Sequence, residues 1–181
     1  MTAAPLDETS ALIVVDVQAG TLANAKTVTS DVLIERITLV ADWFREAARP
    51  VFFVVTTGTP PGGTAYGPGG RIWPEGFDAL APGLARRPDE PLLSRRGWSA
   101  FAETGIDEAL RSRAVTDVVI TGIATSFGVE STARAAYDLG YSVSVVVDAV
   151  ADPSETAHAR FVDGILPALG RAVRTDDLLA H

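Results

Sequence analysis

Residues 122–141 read GIATSFGVESTARAAYDLGY and follow the apolar run Val118, Val119, Ile120. An apolar run, a turn of small residues and then apolar positions at helical spacing describe a strand that opens into a helix. The free backbone N–H groups at such a helix start converge on one spot, where an oxyanion, carboxylate or carbonyl oxygen can be held. Outward from this segment the same alternation of apolar runs and helical patterns repeats. It reads as β-α-β units in an α/β, three-layer α/β/α fold, with a mainly parallel central sheet covered on both faces.

Strands are expected over residues 11–15, 51–56, 91–94, 118–121 and 143–147, with a short sixth over 172–174, about six in all. The first long helix is capped by Thr29 or Ser30 and places Leu33, Ile37, Val40, Ala41 and Phe44 on one face. Further helices are expected over 106–113, 127–139 and 154–166, with Gly140 as the left-handed residue closing the third. Residues 58–87 form a Pro- and Gly-rich connection holding Tyr66, Arg71, Trp73 and Phe77; a loop of that length is usually functional.

The length of 181 residues suits one compact domain, 1–181, and 47% hydrophobic with 21% charged residues is ordinary globular usage. A formal net charge of −8 with scattered arginines speaks against nucleic acid as a partner. The chain has neither a leader-like start nor an apolar stretch of roughly 18 residues, so no membrane association is expected and a cytoplasmic location is the default. There is no cysteine, which removes disulfides and thiolate metal sites together. His158 and His181 stand without a ligand partner at metal-binding spacing and read as surface residues, so no metal is expected. The Gly-rich stretch 61–70 lacks the Lys and following helix of a phosphate loop, and no cofactor is expected.

Asp16 follows the apolar run 11–15, and the carboxyl edge of a central strand is where open α/β sheets bind ligands. From the residues alone, an acid–base role and a turn or capping role stand equal. Gln18 offers a donor and an acceptor to a ligand, or is a solvated loop residue. Arg95 and Arg96 are adjacent after a third apolar stretch, so only one of them points into a pocket. If these strands lie side by side, an acid, a cation and an N–H pocket converge. Ser126 has no His near it and reads as a cap or packing residue rather than a nucleophile.

Three pieces, ALIVVDVQ from Ala11, SRRGWSAF from Ser94 and TGIATSFGVESTARAAYDLGY from Thr121, resemble in order and spacing the isochorismatase-like hydrolases, also called the cysteine hydrolase family, over nearly the whole chain. The resemblance implies a Rossmann-like α/β fold, a small-molecule substrate and a homo-oligomer. Amide-cleaving members carry an Asp, a Lys and a nucleophilic Cys, which correspond to Asp16, Arg95 and Gly128. The alignment thus selects Arg95 over Arg96. Arginine keeps the charge but does not shuttle protons, so it suits a carboxylate clamp. Without a thiol the acyl-enzyme route is closed. Isochorismatases resemble this chain in having Gly at the thiol position, and they hydrolyse an enol ether with the Asp as acid; they also carry a Tyr where Ala124 stands here. The Asp and two His that hold zinc in nicotinamidase-like members are missing. The family pattern further implies a cis peptide between Ile123 and Ala124, turning the Ala124 N–H inward beside Gly128. Substrate contacts are expected from Gln18, Trp98, Ile123, Ala124, Thr125 and Trp73, with Phe101 in the core. The implied reading is a cysteine-independent hydrolase, and the alternative is a non-catalytic binding relative.

Overall fold

A computed structural model describes residues 6–180. Six strands form one sheet in the order β3-β2-β1-β4-β5-β6: β1 Ser10–Val15, β2 Val51–Thr56, β3 Leu92–Arg95, β4 Asp117–Ile123, β5 Ser142–Ala151 and β6 Arg171–Val173. Every pairing is parallel. The central strands are apolar runs because both of their faces are covered. Alternate residues of β1 point to opposite sides, Ala11, Ile13 and Val15 to one core and Leu12 and Val14 to the other.

The first core is closed by α2 (Ile106–Arg111), by α3 (Glu130–Asp138) and by the segment containing Phe161 and Leu166. The second is closed by α1 (Ser30–Glu46), whose buried residues are Leu33, Ile37, Val40, Ala41 and Phe44, the stripe read from the sequence. The helix expected over 154–166 is α4 (Glu155–Ala159), a π-helical turn Arg160–Ile165 and α5 (Leu166–Leu169). Likewise α3 begins one turn early as the π-helical turn Thr125–Val129. Two short elements escaped the sequence reading, a 3-10 turn Leu22–Asn24 and α6 (Thr175–Leu179), which buries only Thr175 and Leu178.

The strand order reverses direction between β1 and β4, and the crevice outside the carboxyl ends of those strands is the ligand-binding position of such sheets. Gly122 brings the two strand ends together. It has φ +124°, and a Cβ there would lie 2.0 Å from the Val15 carbonyl oxygen, so only glycine fits. One expectation needs correction: β3 is not beside β1. β2 lies between them, and Arg95 reaches Asp16 across the end of β2 only because the guanidinium stands on a long side chain.

Candidate active site

Asp16 is the first residue past β1 and has a left-handed backbone, φ 52°. Aspartate is among the few residues that tolerate this conformation. Its N–H donates to the Val54 carbonyl at 2.8 Å, and its own carbonyl accepts the Gln18 N–H at 3.0 Å and the Thr21 hydroxyl. The carboxylate is therefore placed by a fixed backbone. The residue is 8% exposed.

Oδ2 of Asp16 accepts from Arg95 Nη2 at 2.7 Å, and the same nitrogen donates to the Trp98 carbonyl at 2.7 Å. Asp16 Oδ1 and Arg95 Nε and Nη1 are buried without a hydrogen-bond partner. Unpaired buried polar atoms are costly and rare in native proteins, so their concentration in one ion pair marks a place built for something other than stability. Burial raises the Asp16 carboxyl to about 6, against the lowering influence of Arg95, its Coulombic attraction first and its hydrogen bond second. Desolvation wins over the cation.

The turn after β4 closes the other side. The Ile123–Ala124 peptide is cis. Gly128 is buried in the following π-helical turn, and a Cβ built on it would stand 2.9 Å from Asp16 Oδ2 and 2.9 Å from Val15 Cγ1. A cavity of about 170 Å³ collects Asp16, Arg95, Ile123, Ala124 and Gly128, with Trp73 and Trp98 as aromatic walls. Arg96 is exposed and stands at its rim, while Arg95 is the buried member of the pair. Phe101 packs against the first core, beside Tyr141. A larger cleft of about 690 Å³ opens at the opposite edge of the sheet, among Arg45, Arg49 and Glu90, and shares no residue with this site.

Two expected substrate contacts are corrected. Gln18 is fully buried, and both ends of its amide are occupied by the Thr56 backbone: Nε2 donates to the carbonyl and Oε1 accepts the N–H, each at 2.9 Å. It staples the end of β1 to the end of β2 and offers nothing to a ligand. Thr125 is also fully buried, and its hydroxyl meets His158 Nδ1 at 2.9 Å, away from the cavity. That contact corrects His158 as well, since the residue is half-buried behind the turn rather than on the surface. His181 lies outside the described residues. Ser126 caps nothing with its side chain; its N–H donates to Asp152 Oδ2 at 2.7 Å.

Asp152 was not legible in the sequence. It is fully buried after β5, and it takes the Ser154 N–H on Oδ1 at 2.9 Å while holding Ser126 on Oδ2. Phe127 was also missed, although an aromatic at a helix start next to Gly128 is a signal; it lines the cavity and meets Trp98 edge-on at 5.1 Å. Among the described residues no group of three His, Cys, Asp or Glu side chains could hold a metal ion, and no helix is long and apolar enough to cross a membrane.

The profile of the isochorismatase domain matches residues 10–177, from the start of β1 into α6. The chain belongs to the isochorismatase family. An isochorismatase family protein from Burkholderia thailandensis has a solved structure that superposes with TM-score 0.90 at 35% identity, covering 97% of this chain and 96% of that one. The isochorismatase family protein YecD of Escherichia coli O157:H7, itself uncharacterized, is 30% identical over 179 residues, 95% of each chain. Nicotinamidase 3 of Arabidopsis thaliana is 30% identical over 165 residues, covering 85% of this chain and 79% of its own. Members of the isochorismatase family are hydrolases, and the site of this member contains no thiol.

Proposed function

We propose that this isochorismatase-family chain hydrolyses a small metabolite without a covalent intermediate, with Asp16 as general acid and then base and Arg95 as the group that binds a substrate carboxylate. One observation carries the reading: a buried carboxyl group, raised to about 6 and with one oxygen unpartnered, faces a Cα that bears no side chain. An acid whose pKa lies near neutrality holds its proton long enough to deliver it in the transition state. Arg95 keeps two buried nitrogens without a protein partner once Nη2 is committed to Asp16 and Trp98, and a carboxylate that takes them enters past the side chains that cover them.

For an enol ether the steps balance simply. Asp16 gives its proton to the terminal vinyl carbon, and the ether oxygen stabilises the adjacent cationic carbon. The oxygen of a water adds to that carbon while its proton returns to Asp16. The hemiketal then breaks its bond to the alkoxy oxygen, which leaves as an alcohol, and a carbonyl remains. No atom of residue 128 takes part, which is consistent with glycine there. The test is turnover of an enol ether in oxygen-18 water: label in the product carbonyl, lost entirely in Asp16→Asn at unchanged folding, is the expected result. Undiminished turnover in that variant ends the scheme.

A second reading has one observation in its favour. The 2.7 Å contact between Asp16 and Arg95 already ties up one carboxylate oxygen, as in a binding protein that kept its pocket after losing the reaction. Saturable binding with no product over a panel of enol ethers, esters and amides is its signature.

A further inference from the structure

The reactive cavity is small. It measures about 170 Å³. Ligand sites for whole metabolites usually run to about 300–1,000 Å³. Next to it lies a second cleft of about 800 Å³, and the two share Thr59, Trp98 and Phe127 as a common wall. The first contains the buried ion pair. The second has no carboxylate among its walls and is formed by aromatic, proline and glycine residues together with short hydroxyl side chains and Arg71.

The outer wall of this second cleft is a built element. Residues 59–71 fold as a narrow hairpin: the Thr59 N–H donates to the Arg71 carbonyl at 2.8 Å, the Gly70 N–H to Pro60 at 2.7 Å, and Thr64 and Gly67 exchange both backbone bonds at 2.9 and 3.0 Å. Gly69 packs so closely that a Cβ would lie 2.2 Å from the Gly62 carbonyl oxygen. The hairpin carries one large apolar side chain into the cleft region, Tyr66, which is 89% exposed. Opposite stands the edge-on pair of Trp98 and Phe127, also exposed, although both adjoin the reactive cavity. Three exposed aromatic rings around one groove are a large apolar patch for a soluble surface, and such patches mark binding.

We propose that the substrate has two parts: a carboxyl- or carbonyl-bearing head in the cavity of Asp16, Arg95 and Gly128, and a flat apolar tail lying in the cleft between the Trp98–Phe127 pair and the hairpin. This rests on the head assignment made above and adds the tail. Because the two openings meet at Thr59, Trp98 and Phe127, the occupant the cleft selects is the tail of the same molecule, passing over that shared wall.

The test is binding, so it does not depend on turnover. Two enol ethers with one head, 2-methoxypropenoate and 2-(benzyloxy)propenoate, are titrated calorimetrically into Asp16→Asn protein, which leaves the ligands unhydrolysed. Burial of the added ring predicts that the benzyl ether binds at least tenfold more tightly than the methyl ether. Ser131→Trp, which fills the cleft from α3, is expected to bring that ratio close to one, and Tyr66→Ala to reduce it several-fold, with melting curves confirming that both variants fold. Equal binding of the two ethers overturns the tail site and leaves the head assignment standing. A benzyl preference that survives Ser131→Trp and Tyr66→Ala also overturns it, since the ring then lies elsewhere. If neither ether binds the variant or the unaltered protein, the head assignment fails and the tail falls with it. A benzyl ether that binds no better, in a protein that sedimentation shows to be a dimer dissociated by Ser131→Trp, gives the cleft to a second copy of the chain and refutes the proposal.

Discussion

The state of Asp16 determines both the stability and the chemistry of the site, and a pH titration exposes it. The ordinary carboxyl value of 3.8 rises to about 6 in the folded chain. The interval is about two pH units, and at 1.36 kcal/mol per unit it corresponds to about 3 kcal/mol. Because the folded value lies above the unfolded one, the folded state holds the proton more tightly, and stability falls as pH rises. The contribution is complete below about pH 4, declines between about 4 and 6, and is lost above. Other carboxylates titrate in the same range, so the informative quantity is the difference between the unaltered protein and Asp16→Asn. Asparagine is neutral throughout and Arg95 remains charged, which makes the cost of the substitution itself a constant offset. Urea unfolding at pH 4, 5, 6, 7 and 8, extrapolated linearly to water, measures it. The stability of the unaltered protein relative to the variant is expected to fall by about 2 kcal/mol between pH 4 and pH 7, the rest of the span lying below pH 4. A flat difference, or one rising with pH, refutes the reasoning, because the attraction of Arg95 would then equal or exceed the cost of desolvation. The same shift sets the reaction profile. At pH 7 about one molecule in ten carries the catalytic proton, compared with about one in 1,600 for an ordinary aspartate. Turnover by protonated Asp16 is expected to be level below about pH 6 and to drop tenfold per unit above it.

Two further perturbations test the frame around the site. Arg45 and Glu90 form a buried pair, with contacts of 2.6 and 2.8 Å and side chains 5% and 8% exposed, that ties the end of the 58–87 connection to α1. Glu90→Gln removes one charge from the pair but leaves Arg45 its contacts with Asp42 and the Ala85 carbonyl, each at 2.8 Å, and is expected to cost about 1–3 kcal/mol in urea unfolding; replacing both Arg45 and Glu90 with Met and Leu should cost less. Asp152→Asn exchanges one carboxylate acceptor for an N–H donor opposite the backbone donors of Ser126 and Ser154. The expected loss is about 1–3 kcal/mol of stability, with a fall in kcat, because the turn carrying Phe127 and Gly128 shifts against Asp16.

What the sequence disclosed and what it hid divide along a physical line. The strands and α1 were readable because burial on two faces, or along one helical stripe, leaves a periodic imprint over many residues. Asp16 and Arg95 were readable as residues at the ends of such runs. Gln18 and Thr125 were misplaced because a polar side chain next to a site looks the same in sequence whether it faces a ligand or a backbone. Only the position of Thr56 across the sheet shows that the Gln18 amide is already engaged. Asp152 was invisible and His158 was misread as a surface residue for the same reason, since their partners Ser126 and Thr125 are 26 and 33 residues away. The place of β3 could not be read because strand order in a parallel sheet is set by the crossovers and leaves no local pattern in the strands themselves.

The two departures from the thiol-bearing pattern of the family, arginine at 95 and glycine at 128, are one change in physical terms. Asp16 Oδ2 stands 2.7 Å from the guanidinium and 2.9 Å from where a Cβ of residue 128 would be. A real Cβ does not approach its neighbours that closely, so any side chain at 128 must shift both the Asp16 carboxylate, which Arg95 holds, and Val15, which lies at the same 2.9 Å. Neither neighbour yields easily: the left-handed backbone of Asp16 is held by Val54, Gln18 and Thr21, and Val15 is fully buried. Restoring the sulfur alone therefore does not restore thiol chemistry. Gly128→Cys is expected to lose about 1–3 kcal/mol of stability through overpacking and to show no burst of acyl-enzyme with amide substrates. Arg95→Lys combined with Gly128→Cys frees the carboxylate from its short contact and is expected to recover part of that stability. A non-additive gain in urea unfolding, read from the four-member mutant cycle, is the measurement. Strict additivity of the two substitutions would show that the arginine and the glycine do not share the carboxylate, and the coupling inferred from these distances would be wrong.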